Sequence, residues 1–272
     1  MKRFATLLVL LVCALAGGAR WIDLTQYTDP ATGFVTMGPL WVRYAVIGGA
    51  LVLCALAALL LAPARPGYLQ HRCVPTGVCC ILCSMLFALL SGTRLAVFGQ
   101  LARVDQVLCV LWLCTALWLL LAALSRFWRE TSPPTGSALW GLLGTLSLYL
   151  LTVMRFGFKP SGLVRIAPTV QVFSALMALL FINVFVRALY LPRVKCGRWL
   201  YFTGCGAFLL CTCLELPQSI RFWQLGSISA HELGISIGLA LLGLLGGVSA
   251  VAAAGGEASQ PEEEPADAAE PC

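Results

Sequence analysis

VLCVLWLCTALWLLLAAL, residues 107–124, is a run of eighteen residues without a charged side chain. An α-helix rises about 1.5 Å per residue, so roughly 20 apolar residues cross the ~30 Å hydrocarbon layer of a bilayer. Arg103 and Arg126 flank the run and would lie near the two membrane surfaces. The stretch therefore predicts a transmembrane helix.

The composition extends this interpretation to the whole chain. Apolar residues make up 60% of the 272 positions, whereas charged residues make up 11%, against the ~25% that is usual in soluble domains. A soluble domain of this length has too little interior to bury that much apolar surface. A water-soluble globular protein, a disordered chain, a collagen and a secreted disulfide scaffold are therefore excluded.

Similar apolar runs recur along the sequence, separated by prolines and charges. They predict an all-α fold, a polytopic transmembrane helical bundle of about eight membrane-spanning helices in residues 1–254, with six or seven as the alternative count. The predicted spans are residues 4–19, 38–62, 76–99, 107–125, 137–154, 168–191, 199–217 and 232–254. The first run also has the pattern of a cleavable signal peptide, but the spans that follow favour its retention as a helix. Residues 255–272 are rich in Glu, Ala and Pro and predict a short disordered acidic tail.

Positive charges predict the orientation. With the N-terminus inside, the cytoplasmic segments hold nine Lys and Arg residues and the outer segments six, which favours cytoplasmic N- and C-termini. Half of the outer charge lies in residues 155–165, so this loop is either functionally basic or a sign that the fifth span is misread. The compact loops favour a prokaryotic plasma membrane.

Cysteines and catalytic motifs give little sign of chemistry. Ten of the thirteen cysteines lie in apolar runs, where Cys behaves as a small hydrophobe. The CCILC stretch at 79–83 has no neighbouring His or carboxylate that would complete a metal site. Zincin, hydrolase, Walker and dinucleotide motifs are absent from the sequence. We therefore expect no metal, no cofactor and no catalytic residue, and a membrane enzyme using Glu215 or His231 remains a minor alternative. The basic residues are scattered between apolar runs, so nucleic-acid binding is not expected.

Two predicted spans carry polar stripes at helical spacing. The stripe of the third span is Cys80, Ser84, Phe87, Ser91 and Arg94, and that of the seventh is Tyr201, Cys205, Phe208, Thr212 and Glu215. Arg94 and Glu215 lie at matching depths, and an unpaired charge inside a bilayer is costly. We expect these two residues either to face each other in the bundle or to reach the outer interface separately.

Further polar residues collect at the predicted outer helix ends. The candidate outer polar site consists of Arg43, Arg94, Arg155, Lys159, Gln171, Glu215, His231 and Glu232. A cationic excess there would attract an anionic small molecule or a lipid headgroup. The alternative is a solvated rim without a ligand.

The eighth span carries glycines four residues apart, Gly234 with Gly238 and Gly243 with Gly247. Small residues at this spacing let helices approach closely. They predict packing within the chain or, alternatively, contact with a second copy or another membrane protein.

Two functions remain open. The first is a permease-like protein, or the membrane subunit of one, that handles a small solute or a lipid at an outward-facing polar site. The second is a non-transporting sensor, scaffold or assembly factor that acts through helix–helix contacts in the bilayer.

Overall fold

The computed structural model of the chain describes residues 1–29, 34–63, 73–128, 138–158, 166–191 and 194–255. This part of the chain is helical and contains eight helices long and apolar enough to span a membrane, so the predicted all-α bundle is confirmed. The helices are α1 (Lys2–Gln26), α2 (Leu40–Leu61), α3 (Val74–Leu95), α4 (Arg103–Trp128), α5 (Ala138–Phe158), α6 (Ile166–Tyr190), α7 (Gly197–Ala207), α8 (Leu216–Gln224) and α9 (Ala230–Gly255). The predicted acidic tail beyond Gly255 lies outside the described residues.

Several spans are longer than the sequence predicted, and in the first and the fifth the additional turns contain an arginine. The first was expected to end at residue 19 and the fifth at residue 154, each just before an arginine. Helix α1 continues to Gln26 and α5 to Phe158, because Arg20 and Arg155 find partners within the bundle. Both arginines therefore lie inside helices and are buried.

Consecutive spans are antiparallel, as two hydroxyl contacts between α3 and α4 illustrate. Ser84 donates to the Ala116 carbonyl (2.6 Å) and Ser91 to the Cys109 carbonyl (2.9 Å), so later residues of α3 meet earlier residues of α4. The C-terminal ends of α1, α3, α5 and α8 thus lie at one end of the bundle, together with the N-terminal ends of α2, α4, α6 and α9. We call this the distal end; it is the end predicted to face outward.

The interior consists of two apolar clusters. One joins α3, α4, α5, α6, α9 and the seventh span around Trp112, Trp118 and Phe181. The other joins α1, α2, α6, α9 and the seventh span around Cys13, Cys54 and further small residues. The twelve cysteines in the described residues are free, and most are buried as the sequence suggested.

The seventh span changes its helical form in the middle. Between α7 and α8, residues Phe208–Glu215 form a π-helix, and Pro217, which lacks a backbone N–H, follows in the first turn of α8. Such π-segments widen a helix and are often found at functional sites. This one ends at Glu215.

Glycines bring α7 and α9 into direct backbone contact. A Cβ atom on Gly204 would lie 2.5 Å from the Gly246 carbonyl oxygen, and one on Gly246 would lie 2.7 Å from the Gly204 carbonyl oxygen. Such a separation leaves no room for a side chain on either residue. The sequence pattern did not include this pair.

The four glycines that the sequence did single out also lie against helices of the same chain. Two of them face α3. A Cβ atom on Gly234 would lie 2.6 Å from the Leu90 side chain, and one on Gly238 would lie 3.4 Å from the Phe87 side chain. One on Gly243 would lie 2.7 Å from the Ala207 carbonyl oxygen, and one on Gly247 would lie 3.3 Å from Phe208. Each glycine thus has a neighbour within the bundle.

Candidate functional site

A buried ion pair lies toward the distal end of the bundle. Arg155 of α5 holds Glu215 at two points, with 2.6 Å from Nη2 to Oε1 and 3.0 Å from Nη1 to Oε2. The Glu215 side chain is fully buried and Arg155 is 8% exposed. The planar guanidinium matches a carboxylate in this two-point geometry.

Serines complete the coordination of the carboxylate. Ser174 of α6 donates to Oε2, and Ser236 of α9 donates to Oε1 at 2.9 Å. Ser219 in turn donates to the Ser236 hydroxyl at 2.9 Å. With the two guanidinium contacts, Glu215 accepts four hydrogen bonds, which is the capacity of an ionised carboxylate.

A crevice of about 270 Å³ opens beside this ion pair. Its polar lining comes from Arg155, Gln171, Glu232 and Ser236, and its apolar lining from Leu151, Met154, Ile228 and Ile235. Ile228 belongs to the short connection between α8 and α9, so the crevice lies at the distal end. Sites for drug-sized ligands are typically ~300–1,000 Å³, so this crevice suits a smaller solute.

Two predicted site residues have roles in the crevice that the sequence did not assign. The Gln171 carbonyl accepts a 2.7 Å hydrogen bond from Arg155 Nη1. Glu232 accepts from the Ser229 backbone N–H, while Ser229 Oγ accepts from the Glu232 N–H, both at 3.2 Å. This reciprocal pair is a capping box at the start of α9. Glu232 therefore fixes a helix end and lines the crevice at once.

Of the two alternatives for Arg94 and Glu215, the mutual pairing is wrong, because Arg155 is the partner of Glu215, and Glu215 is buried rather than at the outer interface. Helix α3 packs mainly on α4 and α9, and α9 separates it from the seventh span. Arg94 is half-buried at the end of α3 and interacts electrostatically with His231. The His231 ring lies beside Trp112, with ring centroids 5.6 Å apart and the ring planes tilted by 40°.

Arg43 belongs to a second polar group between α1 and α2. The Asp23 carboxylate accepts hydrogen bonds from Arg20 Nη1 at 2.6 Å and from Arg43 Nε at 2.7 Å. Arg20 also donates to the Gln218 side chain (3.1 Å), whose amide donates to the Ala167 carbonyl (3.0 Å). This group contacts α8 through the Gln218 side chain.

The structure thus brings together four of the eight predicted site residues, Arg155, Gln171, Glu215 and Glu232. It places Arg43 in the second group and Arg94 with His231 beside Trp112. Lys159 lies outside the described residues.

Sequence reasoning missed Ser174, Ser219 and Ser236, and it placed Arg20 and Arg155 beyond the helix ends. A signal for Arg155 was present in the sequence, since Ser147, Leu151 and Arg155 follow one another four residues apart. Ser147 and Leu151 are buried, so a helix extended by one turn puts Arg155 on the same face.

Chemically, the site presents one guanidinium, one carboxylate and a chain of hydroxyls beside an open crevice. Among the described residues, no group of three or more His, Cys, Asp or Glu side chains has the arrangement of a metal site. The donors suit recognition of a small solute bearing a carboxylate, and the hydroxyl chain suits movement of a proton.

No protein-family model matches the sequence, and no curated protein or solved structure is detectably similar to it. What is established about the chain is therefore its class: it is an integral membrane protein of eight apolar helices with a buried Arg155–Glu215 pair toward one end.

Proposed function

We propose that this protein is a permease-like membrane protein that binds a small carboxylate-bearing solute in the crevice beside Arg155 and Glu215. The observation that carries the proposal is the burial of a fully hydrogen-bonded ion pair at the wall of a solute-sized cavity. Charges inside a membrane are costly to retain and commonly mark solute or proton pathways. The π-segment ending at Glu215 adds support, because transporters often build their sites from interrupted helices.

The geometry suggests how binding would proceed. A solute carboxylate in the crevice competes with Glu215 for the Arg155 guanidinium. Once Glu215 loses this partner, a proton from the bulk solution reaches its carboxylate, relayed through water in the crevice and the Ser236 hydroxyl. Neutralising Glu215 avoids leaving an unpaired charge in the protein interior. Solute binding is therefore linked to proton uptake.

Ligand-dependent stabilisation of the purified protein tests this function. We expect acetate, lactate, succinate or glutamate to raise the Tm in detergent, while acetamide and succinamide do not. A ligand at a hundred times its Kd stabilises a protein by about 2.7 kcal/mol. Because binding takes up a proton, the rise in Tm should be larger at about pH 5.5 than at pH 7.5.

A matched pair of tryptophan variants locates the effect. Ile235→Trp fills the crevice that Ile235 lines, and it should abolish the rise in Tm. Leu244→Trp, on the exposed face of the same helix, should keep it. If none of the carboxylates stabilises the wild-type protein, or if both variants respond alike, the proposed site is wrong.

The scaffold alternative gains no specific support. Its basis was the glycine pattern of the last span, and Gly234, Gly238, Gly243 and Gly247 all contact helices of this chain. Those positions are therefore occupied within the bundle rather than available to a partner.

We further propose that the distal end faces outward from the plasma membrane, as the distribution of positive charge predicts. Lys195 and Ser227 are exposed at opposite ends of the bundle, so each can be replaced by cysteine in a Cys272→Ser background. On intact cells, an impermeant maleimide should label Ser227→Cys but not Lys195→Cys. After permeabilisation, the same reagent should label Lys195→Cys as well. The opposite pattern would reverse the orientation.

The native cysteines are poor reporters in this labelling. Cys73 is 3% exposed and Cys196 is 5% exposed. Burial also raises the pKa of the Cys196 thiol above its ordinary value, and the reactive species is the thiolate. Background labelling of the folded protein at these positions should be slow.

A further inference from the structure

A second cavity lies between α1 and α2, away from the crevice. It measures about 430 Å³, and we call it the α1–α2 pocket. Arg20, Asp23 and Arg43 lie toward its distal end, whereas Ala16 and Val46 lie about one turn deeper in the bundle. The pocket is thus polar at one end and apolar along the rest.

The polar end carries an excess of positive charge. The Asp23 carboxylate forms ion pairs with two guanidiniums, at 2.6 Å from Arg20 Nη1 and 2.5 Å from Arg43 Nη2. These three side chains therefore sum to one positive charge. They are 7–15% exposed, so water screens that charge less than it would on an open surface.

Arg20 retains a donor for a further acceptor. Its side chain is 93% buried, and among the described residues its Nε–H has no hydrogen-bond partner. Leaving a buried donor of a charged group unpaired costs free energy. An anionic oxygen at the polar end would offset the excess charge, and a rotation of the Arg20 side chain toward the pocket would let this oxygen accept from the unpaired donor.

The apolar part of the pocket borders the lipid. Helices α1 and α2 are the two least buried of the eight spans, and Val42 and Val46 of the pocket are exposed. A hydrocarbon chain can therefore enter from the bilayer without passing through water.

From this juxtaposition we infer that the α1–α2 pocket binds one anionic lipid of the surrounding bilayer. Its negatively charged headgroup lies against Arg20 and Arg43, and an acyl chain lies along Ala16, Val46 and Leu214. The inference does not rest on the proposed carboxylate crevice, because the two cavities share no lining residue.

Native mass spectrometry of delipidated protein in uncharged detergent tests the site, with dioleoyl phosphatidylglycerol and dioleoyl phosphatidylcholine as probes. One excess positive charge predicts a preference of roughly fivefold for the anionic lipid. Arg43→Gln, which removes that excess, should abolish the preference. Equal binding of the two lipids to the wild-type protein would overturn the inference.

Two valines of α2 provide a matched control for the acyl chain. Val46 lines the pocket, whereas Val52 is exposed on the same helix and does not line it. Val46→Trp should lose the bound phosphatidylglycerol and Val52→Trp should retain it. Equal retention by both variants would place the lipid elsewhere and overturn the inference.

Competition identifies the source of the amphiphile. Displacement of phosphatidylglycerol by dodecanoate would support the same site and add free fatty acids to its ligands. Failure of dodecanoate to compete would support a bilayer phospholipid alone. Binding of inorganic phosphate as tight as that of the lipid would overturn the inference, because the acyl chain would then contribute nothing.

Discussion

Arg155→Met is expected to lower the free energy of unfolding by about 3–5 kcal/mol, because it leaves the fully buried Glu215 carboxylate without its cation. Two of the four hydrogen bonds to that carboxylate disappear with the guanidinium. The measurement is a titration of the purified protein with SDS in mixed micelles, followed by circular dichroism. The loss should exceed that of Arg43→Gln, because Asp23 then keeps Arg20 as its cation.

Arg94→Met is the matched control. Arg94 lies toward the same end of the bundle but is half-buried and is not the partner of Glu215. Its loss should change the free energy of unfolding by about 0.5 kcal/mol or less. Equal losses for the two variants would contradict the assignment of Arg155 as the partner.

The double variant Arg155→Met, Glu215→Leu separates the cost of an unpaired charge from general damage to packing. Replacing both members of a buried ion pair by apolar residues of similar volume is often neutral. We therefore expect the double variant to regain most of the stability that Arg155→Met loses. A double variant less stable than either single variant would show that the site depends on its polar network as a whole.

Gly204→Ala should be the second most damaging substitution. The added methyl group would lie 2.5 Å from the Gly246 carbonyl oxygen, and backbone atoms of a packed helix move little. Overpacking of this kind typically costs about 1–3 kcal/mol. The same SDS titration measures it, and loss of the folded protein during purification would count as the extreme of the expected direction.

Gly48→Ala controls for the effect of alanine itself. A Cβ atom on Gly48 in α2 would have no neighbour within 4 Å, and alanine favours a helix over glycine by up to about 1 kcal/mol. This variant should be as stable as the wild-type protein or slightly more so. A loss of stability equal to that of Gly204→Ala would contradict the close approach of α7 and α9.

The fold could be predicted from the sequence because the bilayer imposes a length on every apolar run. All eight runs form helices, and the predicted limits of most are within a few residues of the observed ones. Residues 107–124 lie wholly within α4. The largest differences are at the ends of the first and seventh spans, which continue to Gln26 and Gln224 instead of residues 19 and 217. In the first span the charge of Arg20, which would usually mark the membrane surface, has a partner inside the bundle.

The candidate site could be predicted only in part. The polar stripe included Glu215, which lies in the interior and needs a cation. Matching depth made Arg94 one possible partner, with separate positions at the outer interface as the alternative, because a single helix pattern gives the level of a residue but not which helices are neighbours. The position of α9 between α3 and the seventh span is a property of the three-dimensional packing.

The glycine pattern likewise could not show which helices are neighbours. Spacing along one helix identified Gly234, Gly238, Gly243 and Gly247 as small positions, and each lies against another helix of the chain. The close backbone approach of α7 and α9 joins Gly204 and Gly246, which belong to different helices. A pair of this kind has no spacing within one helix that could reveal it.

Leu214 and Glu215 are consecutive residues of the seventh span, yet they serve different cavities. Leu214 lines the α1–α2 pocket, Glu215 binds the arginine of the crevice, and Gln218 one turn later binds Arg20. A small displacement of this single turn therefore alters both cavities together. By thermodynamic linkage, an occupant that favours one position of the turn changes the affinity of the other cavity, and the effect is reciprocal by the same factor.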